Sequence, residues 1–160
     1  MKINNIKKIT IISITIIIIF INLVFIFFYK NKAISIDKFK KISTSNNLKI
    51  KNVKEQFNDN EIVLDAYVAY NKYGDYQIEF IIFKDEIDAK KAFSLNKESF
   101  IKNDNSNLEY NISNNKTSRY SLTTTDKYMY ISRKQNTLIF VDTNKKYKDI
   151  IINIISKMKY

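Results

Sequence analysis

Residues 128–142 read Tyr-Met-Tyr-Ile-Ser-Arg-Lys-Gln-Asn-Thr-Leu-Ile-Phe-Val-Asp, two aromatic and β-branched runs interrupted by the polar pair Gln135-Asn136. Such runs around a two-residue turn predict a hairpin, Tyr128 to Lys134 and Thr137 to Asp142. The alternation within it decides the layers. Met129, Ile131, Leu138 and Phe140 fall on one face, Tyr128, Tyr130, Ile139 and Val141 on the other, and both sets are apolar. A sheet with one wet face would alternate apolar with polar residues. Helices are therefore expected on both faces of one mostly antiparallel sheet: an α+β fold, three-layer α/β/α, with a two-layer sandwich as the alternative.

Outward from this hairpin the same reading continues. Arg119 to Thr124 adds a strand before it, through a turn at Thr125 to Lys127. Upstream, Glu61 to Tyr70 and Tyr76 to Lys84 are again apolar on both faces and join through Asn71-Lys72-Tyr73-Gly74-Asp75, with the only glycine where a positive φ is needed. Asp85 is placed to cap a helix from Glu86 to about Lys102. Ile36, Phe39 and Ile42 behind Ser35 and Asp37 predict a short helix over 36–44, followed by a strand from Leu48 to Val53. Asn103 to Ser118 reads as loop around one short alternating piece, Leu108, Tyr110 and Ile112. From Lys145 onward, Tyr147, Ile150, Ile151, Ile154, Ile155 and Met158 share a helical face.

The N-terminus reads differently. Ile9 to Tyr29 is 21 residues without a charge, and at ~1.5 Å per helical residue it matches the ~30 Å hydrocarbon core of a bilayer. A transmembrane helix over 9–29 is expected, with Phe28, Tyr29, Lys30 and Lys32 at the membrane interface. Three Lys before the helix and five over 30–41 would by count favour a cytoplasmic C-terminus, but long domains translocate largely regardless of charge and a short basic tail before an apolar run reads as a signal anchor, so the N-terminus is expected in the cytoplasm and the following domain outside the membrane. The organisation is then a basic tail over 1–8, the helix over 9–29, a basic juxtamembrane segment with a short helix and first strand over 30–54, and the rest of the extracytoplasmic domain over 55–160.

Composition removes most chemistry. Without Cys or His there are no thiolate nucleophiles, disulfides, imidazole bases or zinc fingers, and one Gly with no Pro leaves no phosphate-cradling loop. No cofactor and no metal site is expected. The formal charge of +11 first suggests nucleic acid, but its distribution argues otherwise. Residues 30–54 carry eight Lys against one acid, whereas 55–160 carry 16 basic and 15 acidic groups. Lys, Ile and Asn supply 75 of 160 residues, all with A- and T-rich codons, so the lysine count overstates selection for anions. No nucleic-acid partner is expected. Lipid through the N-terminal helix, and anionic lipid or wall polymer along 30–54, are the partners the charge map favours.

Two runs carry a resemblance. Tyr76-Gln77-Ile78-Glu79-Phe80-Ile81-Ile82-Phe83-Lys84-Asp85-Glu86-Ile87-Asp88-Ala89-Lys90-Lys91-Ala92-Phe93, and the later run from Thr125 to Val141 with its terminal helix ending Met158-Lys159-Tyr160, make the chain similar to small uncharacterised membrane-anchored proteins and lipoproteins of low-GC Gram-positive bacteria such as clostridia. The likeness covers roughly 35–160 and departs in lacking a lipidated Cys. It implies location and architecture, and no activity.

Three constellations remain. A three-residue turn at Thr125 to Lys127 would set the only two arginines, Arg119 and Arg133, opposite each other, where a bound anion or an acid such as Glu79 would neutralise them. Asp65 and Glu79, diagonal on one face of the first hairpin, would be the carboxylate pair of a hydrolase. Tyrosines such as Tyr67, Tyr70 and Tyr76 could stack on a sugar or peptide, although most are core or edge residues. The function expected is a non-enzymatic, membrane-anchored binding domain. The alternatives are a small membrane protein of the immunity or stress type, acting through its helix, and the carboxylate-dependent hydrolase.

Overall fold

In the computed structural model, which describes residues 33–57, 61–102 and 108–160 together with Ile19, Ser35 accepts a hydrogen bond from the Lys38 amide at 3.3 Å and opens α1 (Ile36–Ser45). That side-chain acceptor satisfies one of the four amides a helix start leaves without partners. Asn47 at φ 59° turns the chain into β1 (Lys49–Asn52), and a 3-10 turn over Lys54–Gln56 follows. β2 (Val63–Tyr70) and β3 (Gln77–Phe83) are joined by a loop in which Gly74 has φ 75° and Asn71 Oδ1 accepts from the Asp75 amide at 2.7 Å. Asp85 caps α2 (Glu86–Lys102), its Oδ1 accepting from the Ile87 and Asp88 amides at 2.8 and 2.9 Å. β4 (Leu108–Ser113), β5 (Thr117–Thr123), β6 (Lys127–Lys134) and β7 (Thr137–Asn144) come next, then a 3-10 turn over Lys145–Tyr147 and α3 (Lys148–Met158).

The fold is α+β. All seven strands form one antiparallel sheet in the order β1-β2-β3-β7-β6-β5-β4. Both apolar faces of the 128–142 hairpin are used. Tyr128, Tyr130, Ile139 and Val141 pack with Phe39 of α1 and with Ile151, Ile154 and Met158 of α3. Met129, Ile131 and Leu138 pack with Ala89, Phe93 and Phe100 of α2. In β2 a register shift between Val63 and Asp65 lets Val63 and Ala66 both reach the α2 face. An extra residue of this kind is how a strand changes which side chains it turns inward.

The short helix and first strand of the basic 30–54 segment are integral to the domain. The compact unit runs from Ala33 to Tyr160, and Phe39 and Leu48 belong to its core at 0% and 3% exposure. The helix expected over 9–29, the tail 1–8 and the interface residues Phe28, Tyr29, Lys30 and Lys32 lie outside the described residues, apart from Ile19, which is helical. Among the described residues no helix is long and apolar enough to cross a membrane.

Candidate functional site

The two arginines do not meet. Thr125 and Asp126 alone turn the chain, the Thr124 amide donating to Lys127 O at 2.9 Å, so Arg119 pairs with Ser132 and Arg133 with Ser118. A side chain changes face with every residue of register. Arg119 consequently lies on the face of Tyr130, whose hydroxyl is pushed up by burial and partly held back by the Arg119 charge. Arg133 lies on the opposite face. The shared anion site of Arg119 and Arg133 is thereby dissolved.

Arg133 is 1% exposed and is held by carbonyls rather than by an acid. Its Nη1 donates to Gln135 O at 3.2 Å, and its Nη2 to Asn115 O at 3.2 Å and to Asn114 O and Ser118 Oγ at 3.4 Å. Burial lowers its pKa and the nearby Glu86 charge raises it again. The guanidinium fork therefore ties the β4–β5 turn to the β6–β7 turn, a structural task. Glu79 is not its partner, and among the described residues the ion pair is Lys127 with Asp142 at 3.3 Å.

The carboxylate pair is corrected by the same kind of argument. Asp65 stands opposite Ile82 and Glu79 opposite Val68, on different faces of the sheet. Asp65 is already occupied, accepting from Tyr67 Oη at 2.8 Å and Asn52 Nδ2 at 2.9 Å. Glu79 is a different case. It is half-buried, with Gln77 Nε2 donating to its Oε1 at 3.1 Å. Desolvation raises its carboxyl pKa against that one hydrogen bond, and among the described residues no cationic side chain offsets the cost.

Glu79 belongs to a cleft of about 430 Å³ on the α2 face. α2 packs over β6, β7, β3 and β5, so the β1–β2 end of that face is left uncovered by it. Across the opening, Lys51, Val68 and Glu79 are register partners in one row over β1, β2 and β3. Tyr70 and Gln77 form the adjacent row, and Gln56 and Phe57, leaving the 3-10 turn, make the wall. The arrangement offers a carboxylate, an ammonium, two carboxamides and two aromatic rings around an apolar floor. A second cavity of about 270 Å³ lies under the C-terminal half of α2, between Asn96, Phe100, Met129 and Phe140, with the Lys127–Asp142 pair at its edge.

Lys51, Gln56, Tyr70 and Gln77 were not among the candidates the sequence suggested as one site. The available signal was Gln77-x-Glu79-x-Ile81-x-Phe83, an inward-facing set whose first two members are polar. That pattern marks a strand leaving the covered part of its face.

No protein-family model matches the chain, and no curated protein matches it. Among solved structures, it is similar to the crystal structure of a GTP-binding regulator from Thermotoga maritima, with 15% sequence identity, a TM-score of 0.47, and coverage of 79% of this chain and 88% of that one.

Proposed function

We propose that the chain is a single-pass, membrane-tethered protein, akin to the small membrane-anchored proteins it resembles, whose extracytoplasmic domain is a non-enzymatic module binding a ligand in the cleft beside α2. The observation that carries this reading is Glu79: a half-buried carboxylate facing a cleft, with one amide donor and, among the described residues, no counter-charge. Burying a charge without a partner costs stability. Such a charge lining a cleft is open to a ligand group of opposite sign.

The start of the domain lies away from the cleft. The Ala33 amide donates to Gln135 Oε1 at 3.3 Å, and Ile34 packs in the core with Tyr160. The domain thus begins at the end of the sheet that carries the β6–β7 turn. Tyr70 and Gln77 close the other end of β2 and β3. The seven residues of β3 at ~3.3 Å each put that end on the order of 20 Å from the start of the domain. The anionic surface partner suggested for 30–54 narrows accordingly. Lys49 pairs with Tyr70 at the far end, and Lys40 lies over the Tyr67 ring at 4.5 Å, so these lysines do not form one strip.

The test is the stability of Glu79→Gln as a function of pH. A raised folded-state pKa means that the folded domain takes up its proton at higher pH than the unfolded chain. Stability is then lost as pH rises from the unfolded value of ~4.3 through the folded one, and neutral pH carries the full cost. Glu79→Gln is expected to melt above the wild type at pH 7 and to lose that advantage below pH ~4, where both forms are neutral. A Gln variant that melts lower at pH 7 would show a carboxylate engaged in the fold, and would remove the basis of this reading.

A further inference from the structure

We propose that the cleft takes a small zwitterionic amine, with its ammonium group on the Glu79 carboxylate, its anionic end on the Lys51 ammonium, and its aliphatic body over Val68 between Phe57 and Tyr70. This rests on the cleft being the binding site and names the class of molecule it binds.

The row Lys51–Val68–Glu79 is the reason. The two charged residues are separated by one strand, so their Cα atoms stand ~10 Å apart, twice the ~4.8 Å spacing between neighbouring strands. No ion pair joins them among the described residues. Among the described residues Glu79 meets one carboxamide and no cation. A gap of this kind, bounded by opposite charges and floored by Val68, has an electrical polarity along its length.

Each simpler ligand leaves something unmet. A neutral molecule would desolvate Glu79 further without compensating its charge. An anion alone would be drawn to Lys51 but repelled by Glu79. A cation alone would satisfy the carboxylate and leave Lys51, an exposed edge-strand side chain, to solvent, gaining nothing from it. A molecule with an amine at one end and an acid at the other meets both groups and gains orientation from them. Gln77 holds the Glu79 carboxylate from one side, leaving its remaining lone pairs for an ammonium donor. Phe57 and Tyr70 supply aromatic surface, and aromatic faces attract cations. The second cavity offers no such polarity, because its charges, Lys127 and Asp142, already pair with each other.

The experiment uses the full chain in lipid nanodiscs, titrated calorimetrically with three probes of four carbons each: 4-aminobutyrate, n-butylamine and butyrate. The expected result is binding of 4-aminobutyrate at least about tenfold tighter than either singly charged probe, a difference of about 1.4 kcal/mol. Glu79→Gln and Lys51→Met should each weaken 4-aminobutyrate about tenfold while both variants still unfold cooperatively. Equal binding of n-butylamine and 4-aminobutyrate would overturn the role of Lys51, and with it the zwitterion, and would leave the cleft reading standing. Binding untouched by both substitutions would place the ligand elsewhere and overturn the two together. If none of the three probes binds, the zwitterion class is overturned, and the melting of Glu79→Gln at pH 7 then tests separately the uncompensated Glu79 charge on which the cleft reading rests.

Discussion

Phe39→Ala is expected to lower the free energy of unfolding by about 3–5 kcal/mol, the usual range for deleting a fully buried aromatic ring. Phe39 is 0% exposed, and its ring stacks on Phe80 of β3 with centroids 4.8 Å apart and planes at 17°. Beyond the lost area, the substitution removes the one large apolar side chain that α1 buries, since the other residue it buries is Ser43. The consequence reaches past α1. If Ala33–Tyr160 is one unit, the variant should unfold in a single transition at lower urea with an unchanged slope. A loss below ~1 kcal/mol, with α1 melting separately, would show that residues 36–45 are a juxtamembrane appendage, as the charge map alone suggests.

Arg133 carries the second large effect. Arg133→Lys is expected to cost about 3 kcal/mol and Arg133→Met about 2 kcal/mol, so the conservative change is the worse one. Lysine keeps the buried charge but lacks the fork that reaches Gln135 O on one side and Asn114 O and Asn115 O on the other. Methionine loses the same hydrogen bonds and also discards the charge that burial penalises. Chemical denaturation of both variants gives the order directly. Equal stability of the Arg133→Lys variant and the wild type would mean that the charge, and not the carbonyl clamp, is what the site uses.

Much of this fold is written in local signals. Asp85 before an amphipathic run, a positive φ at Gly74 and two apolar faces on 128–142 are each found, although the loop holding Gly74 has six residues rather than five, which moves Glu79 from Tyr67 to Val68 and off the face of Asp65. The Arg pair failed on a finer point. Thr125-Asp126 and Thr125-Asp126-Lys127 are equally good turn sequences, and one residue of difference moves Arg133 to the other face. The placement of β7 between β3 and β6 is non-local: α2, β4, β5 and β6 intervene between β3 and β7 in the chain, and no residue in either strand announces its partner. The cleft was out of reach for a related reason. It exists because α2 covers part of a face and Lys54–Gln56 turns back beside it, and neither fact is a property of the residues that line it.

A binding module of this kind requires the domain to lie outside the membrane, and a single thiol can report this. The chain contains no Cys, so Tyr73→Cys, in the β2–β3 loop at a position 79% exposed, introduces the only reactive sulfur. In intact cells producing the full chain, a membrane-impermeant maleimide is expected to label this thiol as fast as it does after lysis. Labelling only after lysis would put the domain on the cytoplasmic side and contradict the proposal of a binding module presented beyond the membrane.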